Sequence, residues 1–434
     1  MIQDDDSYRL SDGQQIALGV APFPTAILSL TGSCLIIYHI LCHTRQRTSF
    51  HRIMLAMSTF DMIYSATAVL QMYLLPRETS PRVTAIGTPA TCTALGALLQ
   101  LSYTTFWYNG LLSLYYVTTI VYGWTEKSLS VIEPFLNGFC ICVGVGTAAY
   151  GSLLGWFSET DIGFGCWVHD YPRGCEQIDE FGDMGEECLS PTIAWYIAGY
   201  PLGFLLTVVV ACNLRIYFHV RHLTTTEVSN TDNEERCPTP QTVEENVAAV
   251  VETSGEQPEQ PRCDKAEQQQ QEQQEEEQAQ YRSQVATQCF SYEFCFWCTS
   301  IFTVAIRIIE TYGGEGFRES DIYGLLLLHA IVTPSTGVCN MMIFFRPRYL
   351  KIRREFPDES RWWAFQRACF GTAFTKRSSS ADRGFLYRLF QCLVCGKDPD
   401  DRSSKSDDKI GIDIIIVEES SNSSTCSSTR RTGA

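Results

Sequence analysis

Residues 332–354 read VTPSTGVCNMMIFFRPRYLKIRR. From Val332 to Phe345 no side chain is charged, yet the run contains Pro334, Gly337 and Asn340. It then meets Arg346, Arg348, Lys351, Arg353 and Arg354. In a soluble core a mid-helix proline costs about 3 kcal/mol, so these breakers argue against a helix. In a bilayer they are tolerated, because neighbouring helices satisfy the freed backbone groups. An uncharged run closed by arginines is a spanning helix reaching the cytoplasmic surface. This reading places the chain in the membrane class, and the other segments follow from it.

The chain has 434 residues and a mean hydropathy of -0.05, an average over two unlike populations. Runs of about 23 to 31 residues are almost free of charge, whereas EQPEQPRCDKAEQQQQEQQEEEQAQ is nearly all charge and amide. A hydrocarbon layer about 30 Å thick needs about 20 apolar helical residues. Seven stretches qualify: Ile16–Cys42, Ile53–Leu75, Cys92–Tyr122, Pro134–Phe157, Thr192–Phe218, Ala286–Thr311 and Ile322–Phe345. The expected fold is therefore an all-α, seven-helix transmembrane bundle. Pro134 and Pro191 are expected at helix starts, and Gly313–Gly314 at a helix end. Gly151 and Gly155 form a GxxxG pair suited to close helix approach.

Topology follows from local basic charge rather than from the net charge of -16. The first loop, HTRQRTSFHR, holds three arginines and no acid, and the segment after the seventh run is strongly basic. Both belong in the cytoplasm, which puts the N-terminus outside and the C-terminus inside. Residues 1–15 are a short polar outer tail without the pattern of a cleaved signal peptide. Residues 16–345 form the bundle. Within it, residues 221–284 are an inner loop too poor in large apolar side chains to fold alone. Residues 346–375 include DESRWWAFQRACF, an amphipathic segment suited to the bilayer surface. Residues 376–434 are a Ser-rich cytoplasmic tail.

Outer loops face an oxidising compartment, so their cysteines can pair. Cys92 with Cys166 is the preferred bond, and Cys175 with Cys188 could close a second loop. Sequence alone leaves the pairing open. Intramembrane polar residues face the bundle interior. Asp61 lies roughly 13 Å inside the second helix and Asn340 roughly 9 Å inside the seventh, so with Asn109 they could share a layer. Together with the breakers Pro334 and Gly337 they are switch candidates; static hydrogen bonding between helices is the plainer alternative. Gln100, Tyr103, Trp107, Trp167, Tyr196, Tyr200, Arg307 and His329 could line an outward cavity, since aromatics with a few polar groups make small-ligand sites. Glu293 is expected to meet Arg52, Arg215 or Arg221. Cys369, Cys392 and Cys395 are candidates for lipid attachment. A lone CxxC inside a spanning helix supports no zinc site. No metal, cofactor or enzymatic motif is read, and no basic stripe for nucleic acid.

Seven spans, an outer cysteine at the third helix and a second in the following outer loop resemble a G-protein-coupled receptor. The Asp-Arg-Tyr and Asn-Pro-x-x-Tyr motifs of rhodopsin-like receptors are missing. Cys166-Trp167, His51-Arg52…Leu55…Met57-Ser58…Asp61 and Pro334-x-x-Gly337-x-x-Asn340 look like the cAMP-receptor-like and secretin-like branch (family 2). With an outer tail of residues 1–15, no secretin-type outer hormone-binding domain is expected, which favours a ligand held within the bundle. The resemblance implies a receptor passing a small extracellular ligand's signal to a heterotrimeric G protein at the plasma membrane. Its further partners would be the lipid bilayer and, on the tail, kinases and arrestin-like proteins. All seven lysines lie outside the expected spans, so no helix-seven lysine could hold a retinal Schiff base. A transporter or channel, and a scaffold without G-protein coupling, are the alternatives.

Overall fold

The computed structural model describes residues 10–42, 44, 47–77, 83–159, 165–168, 195–234, 263–312 and 319–371. Ser11 caps α1 (Asp12–Val20) through a reciprocal box with Gln14, and α2 (Pro22–Cys42) follows after one residue. Then come α3 (Ser49–Leu70), α4 (Pro89–Ser102), α5 (Thr104–Ile120) and α6 (Glu126–Leu153). A short antiparallel hairpin joins β1 (Phe157–Glu159) to β2 (Cys166–Val168). After a π-turn at Trp195–Gly199, the remaining helices are α7 (Tyr200–Glu234), α8 (Cys263–Tyr312), α9 (Tyr323–Val332), α10 (Thr336–Glu355) and α11 (Arg361–Phe370).

Among the described residues, six stretches are long and apolar enough to cross a membrane: Asp12–Cys42, Ser49–Leu70, Glu126–Leu153, Tyr200–His222, Ser283–Ile309 and Ser320–Glu355. The expected third span is divided between α4 and α5. Ser102 and Thr104 each donate to a carbonyl three residues back, both at 2.6 Å. Such back-bonds compete with the helical ladder. Tyr103 between them keeps helical dihedrals, so α5 continues from α4 after a single turn.

The bundle centres on α3, which packs against α2, α4 and α5; α2 also packs on α10, and α5 on α7 and α8. Its largest core holds Ile36, Ile40, Met54, Met57, Tyr108, Tyr116 and Tyr292. Lipid tails are as apolar as leucine, so close packing and buried polar bonds must hold the helices together. The α2–α10 contact shows how. Gly337 donates its N–H to Ser29 Oγ at 2.8 Å. A Cβ on Gly337 would lie 2.4 Å from Ser33 Oγ and 2.8 Å from the Ser29 carbonyl oxygen.

Several boundaries differ from the sequence reading. Pro134 lies inside α6, which begins eight residues earlier at Glu126. Contacts with α3 order that polar beginning: Glu126 accepts the Ser49 hydroxyl at 2.7 Å, and Glu133 accepts Arg52 Nε at 2.8 Å. Gly151 and Gly155 are not a helix-pairing motif. Gly151 makes room for the Phe157 ring, and Gly155, at φ 67°, turns the chain after α6. The helices extend into the 221–284 segment, α7 to Glu234 and α8 from Cys263. Its Glu, Gln, Ala and Lys are strong helix formers even without a core to bury. Helix α10 passes the expected boundary at Phe345 and continues through Pro347 to Glu355. Pro191 and Gly313–Gly314 lie outside the described residues.

Candidate functional site: an end cavity above a buried polar chain

At one end of the bundle, Cys92 in the first turn of α4 is bonded to Cys166 of β2, with Cα atoms 5.2 Å apart. The bond pins the hairpin across the helix mouth. Gly165, just before it, faces Gln71 so closely that a Cβ would lie 1.9 Å from that side chain. Trp167 is therefore held inside, 3% exposed. Its Nε1 donates to Gln100 Oε1 at 2.9 Å, and Gln100 Nε2 donates to Thr147 Oγ1 of α6 at 3.1 Å. Tyr103 meets the indole edge-on at 5.1 Å, and the Arg307 guanidinium lies 4.0 Å over it. Such cation–aromatic contacts contribute about 0.5–2 kcal/mol.

Beneath this roof is a cavity of about 90 Å³ bounded by Tyr64, Gln71, Tyr103, Trp167, Arg307 and His329, with Thr333 and Pro334 in its wall. His329 Nδ1 and Thr333 Oγ1 share a hydrogen bond of 2.9 Å. No lysine, aspartate or glutamate is among the described lining residues. The volume is well below the roughly 300 Å³ at which drug-sized sites begin. This arrangement admits a small fragment, and anything larger requires the helices to part.

Four of the eight ligand candidates therefore converge: Tyr103, Trp167, Arg307 and His329. Gln100 sits behind the indole and positions it. Trp107 lies further along α5, edge-on to Phe139 at 5.4 Å. Tyr196 and Tyr200 are 67% and 60% exposed and face away from the cavity. The π-turn that contains Tyr196 changes the helical register, so a simple period could not place them. Tyr64, Gln71 and Thr303, which are not among the sequence candidates, also line the cavity. Asp61, Tyr64, Ala68 and the C-cap Gln71 fall at i, i+3, i+7 and i+10, one face of α3 and its cap, a spacing that the sequence carries for Tyr64 and Gln71 but not for Thr303 of α8.

One turn below the cavity, Asp61 is 2% exposed. Its Oδ1 accepts Thr105 Oγ1 at 2.7 Å, and its Oδ2 accepts Asn340 Nδ2 at 2.8 Å. Asn109 does not touch the carboxylate. Its Nδ2 donates to the Thr105 carbonyl at 2.9 Å. Ser113 Oγ then lies 2.8 Å from the Asn109 carbonyl and also contacts Glu293 Oε1. The polar layer is thus a chain running from α10 through α3 and α5 to α8. Pro334 adds a 3₁₀ turn, Thr333–Ser335, between α9 and α10.

Glu293 does not meet the expected arginines. Arg52 instead binds Glu133 through Nε and Nη2 and lies 3.6 Å from Glu126. The reason is placement: Glu133 comes within reach because α6 starts early. At the same basic end Arg348 of α10 contacts His39 of α2. Cys369 corrects another expectation. It is fully buried, with Ala364 and Ala368 also on the inward face of α11, so it is not presented for acylation. Burial pushes its thiol up to about 12. Trp362 on the opposite face is 66% exposed. Cys175, Cys188, Cys392 and Cys395 lie outside the described residues.

These features define a multi-pass helical membrane protein with a roofed cavity at one end and a buried polar chain beneath it. No family model and no curated protein matches the chain. Among solved structures the chain is similar to squid rhodopsin, with a TM-score of 0.52 and 14% identity over 87% of this chain and 93% of that one. The fold is thus G-protein-coupled-receptor-like. An identity of 14% carries the fold and no further.

Proposed function

We propose that the chain is a cell-surface receptor of the G-protein-coupled kind, with α4 and α5 forming one crossing of a seven-helix bundle. The N-terminus and the cavity face outward, and the basic end of α10 faces the cytoplasm. The positive-inside distribution of arginines supports this orientation. The motifs Cys166-Trp167 and Pro334-x-x-Gly337-x-x-Asn340 favour the cAMP-receptor-like and secretin-like branch. The observation that carries the reading is the roofed cavity whose wall, at Thr333–Pro334, adjoins the turn leading into Asn340 and the polar chain.

In this reading a small extracellular ligand enters beside Trp167, Arg307 and His329. It binds more tightly to the open arrangement and shifts the population toward it. Movement at the Pro334 turn alters the Asn340–Asp61 bond, and the polar chain transmits the change to α8. A heterotrimeric G protein engages the inner end, and kinases and arrestin-like proteins engage the tail. A panel of small extracellular molecules, assayed for G-protein activation in cells carrying an N-terminal tag, tests this. The tag should label on intact cells, and at least one compound should raise coupling. Labelling only after permeabilisation would overturn the orientation.

A further inference from the structure

Glu293 is 5% exposed, and its partner Ser113 is fully buried. Ser113 Oγ has a single hydrogen but two acceptor neighbours, the Asn109 carbonyl at 2.8 Å and Glu293 Oε1. A serine cannot donate to both. If Glu293 carries a proton, it donates to Ser113 Oγ and Ser113 donates to Asn109, so both contacts are hydrogen bonds. If Glu293 is ionised, one contact sets lone pair against lone pair.

The surroundings agree. Glu293 Oε2 makes no hydrogen bond of good geometry, and the Asn213 amide of α7 is a further donor beside the carboxyl group. Arg52, one of the expected partners, is engaged by Glu126 and Glu133. The groups facing Glu293 are Ser113 from α5, Cys212 and Asn213 from α7, and Cys289 of its own helix. None brings a positive charge. An isolated carboxylate in an apolar interior takes up a proton rather than remaining charged.

We propose that Glu293 is a neutral acid in this arrangement, and that its proton latches α8 to α5 through Ser113. Loss of the proton to water leaves an anion with no cation beside it, and α8 must move to hydrate it. High pH therefore opens the contact and low pH closes it. This holds whether or not the chain is a receptor.

The test uses the full chain in lipid nanodiscs. Infrared spectra at neutral pH should show a protonated-carboxyl C=O band that disappears in Glu293→Gln. In Ser113→Ala the band should remain but move to higher frequency, having lost its hydrogen bond. Labels introduced as non-natural residues at exposed Leu114 and Phe294 should separate as pH rises in the native chain. They should stay together in Glu293→Gln, whose amide still donates to Ser113. No band lost in Glu293→Gln would overturn the neutral acid. A band that does not shift in Ser113→Ala, or a label distance independent of pH, would overturn the latch.

Discussion

Asn340 of α10 donates its side-chain N–H to Asp61 of α3 at 2.8 Å, fastening the last spanning helix to the centre of the bundle. Thr105 supplies the other donor. Removing one donor leaves a buried carboxylate oxygen unmet, which costs about 1–3 kcal/mol or more for a charged group. Asn340→Ala should therefore lower thermal stability in detergent by that order. The exchanged pair Asp61→Asn with Asn340→Asp should recover much of it. A double variant no better than the sum of its singles would show that the two side chains do not act together.

Helices α2 and α10 touch through Gly337. A methyl group there meets Ser33, Ser29 and the Ser29 backbone, and backbone cannot swing aside. Gly337→Ala should cost about 1–3 kcal/mol as overpacking. Ser29→Ala, which loses only a hydrogen bond, should cost about 1 kcal/mol. Surface expression and melting temperature should rank the two in that order.

These two contacts show how much the sequence disclosed. Apolar length located most of the helices, because bilayer thickness acts on composition alone, although the third expected span is divided between α4 and α5. Asp61 and Asn340 could be assigned to one layer from helical rise. What sequence could not give was register across helices. Asn109 reaches the layer only through the Thr105 carbonyl, and Glu293 turns to Ser113 because Arg52 is taken by Glu133. Tyr196 faces outward because a π-turn changes its register.

The Arg52–Glu133 pair is asymmetric: their side chains are 39% and 6% exposed. Arg52→Ala strands a buried carboxylate and should cost about 3 kcal/mol. Glu133→Ala should cost less, because Arg52 can still reach water and Glu126. The double variant should be more stable than Arg52→Ala alone. Equal losses in both singles would argue that packing, not charge, holds α3 to α6.

Cys92 and Cys166 roof the cavity as one unit. Cys92→Ala and Cys166→Ala should each lower stability by about 2–5 kcal/mol, with the double variant no worse than either. Additive losses would mean the thiols do not act as a pair.

The central claim is that the cavity end governs a G-protein-coupling surface at the basic end. Its most direct test is nucleotide exchange on purified heterotrimeric G proteins by the full chain in vesicles, with small-molecule candidates added on the cavity side. The account predicts that at least one compound accelerates exchange, and that Trp167→Ala or Arg307→Ala weakens the response while the fold is retained. Substrate flux across the same vesicles, with exchange unchanged on every G protein, would contradict it.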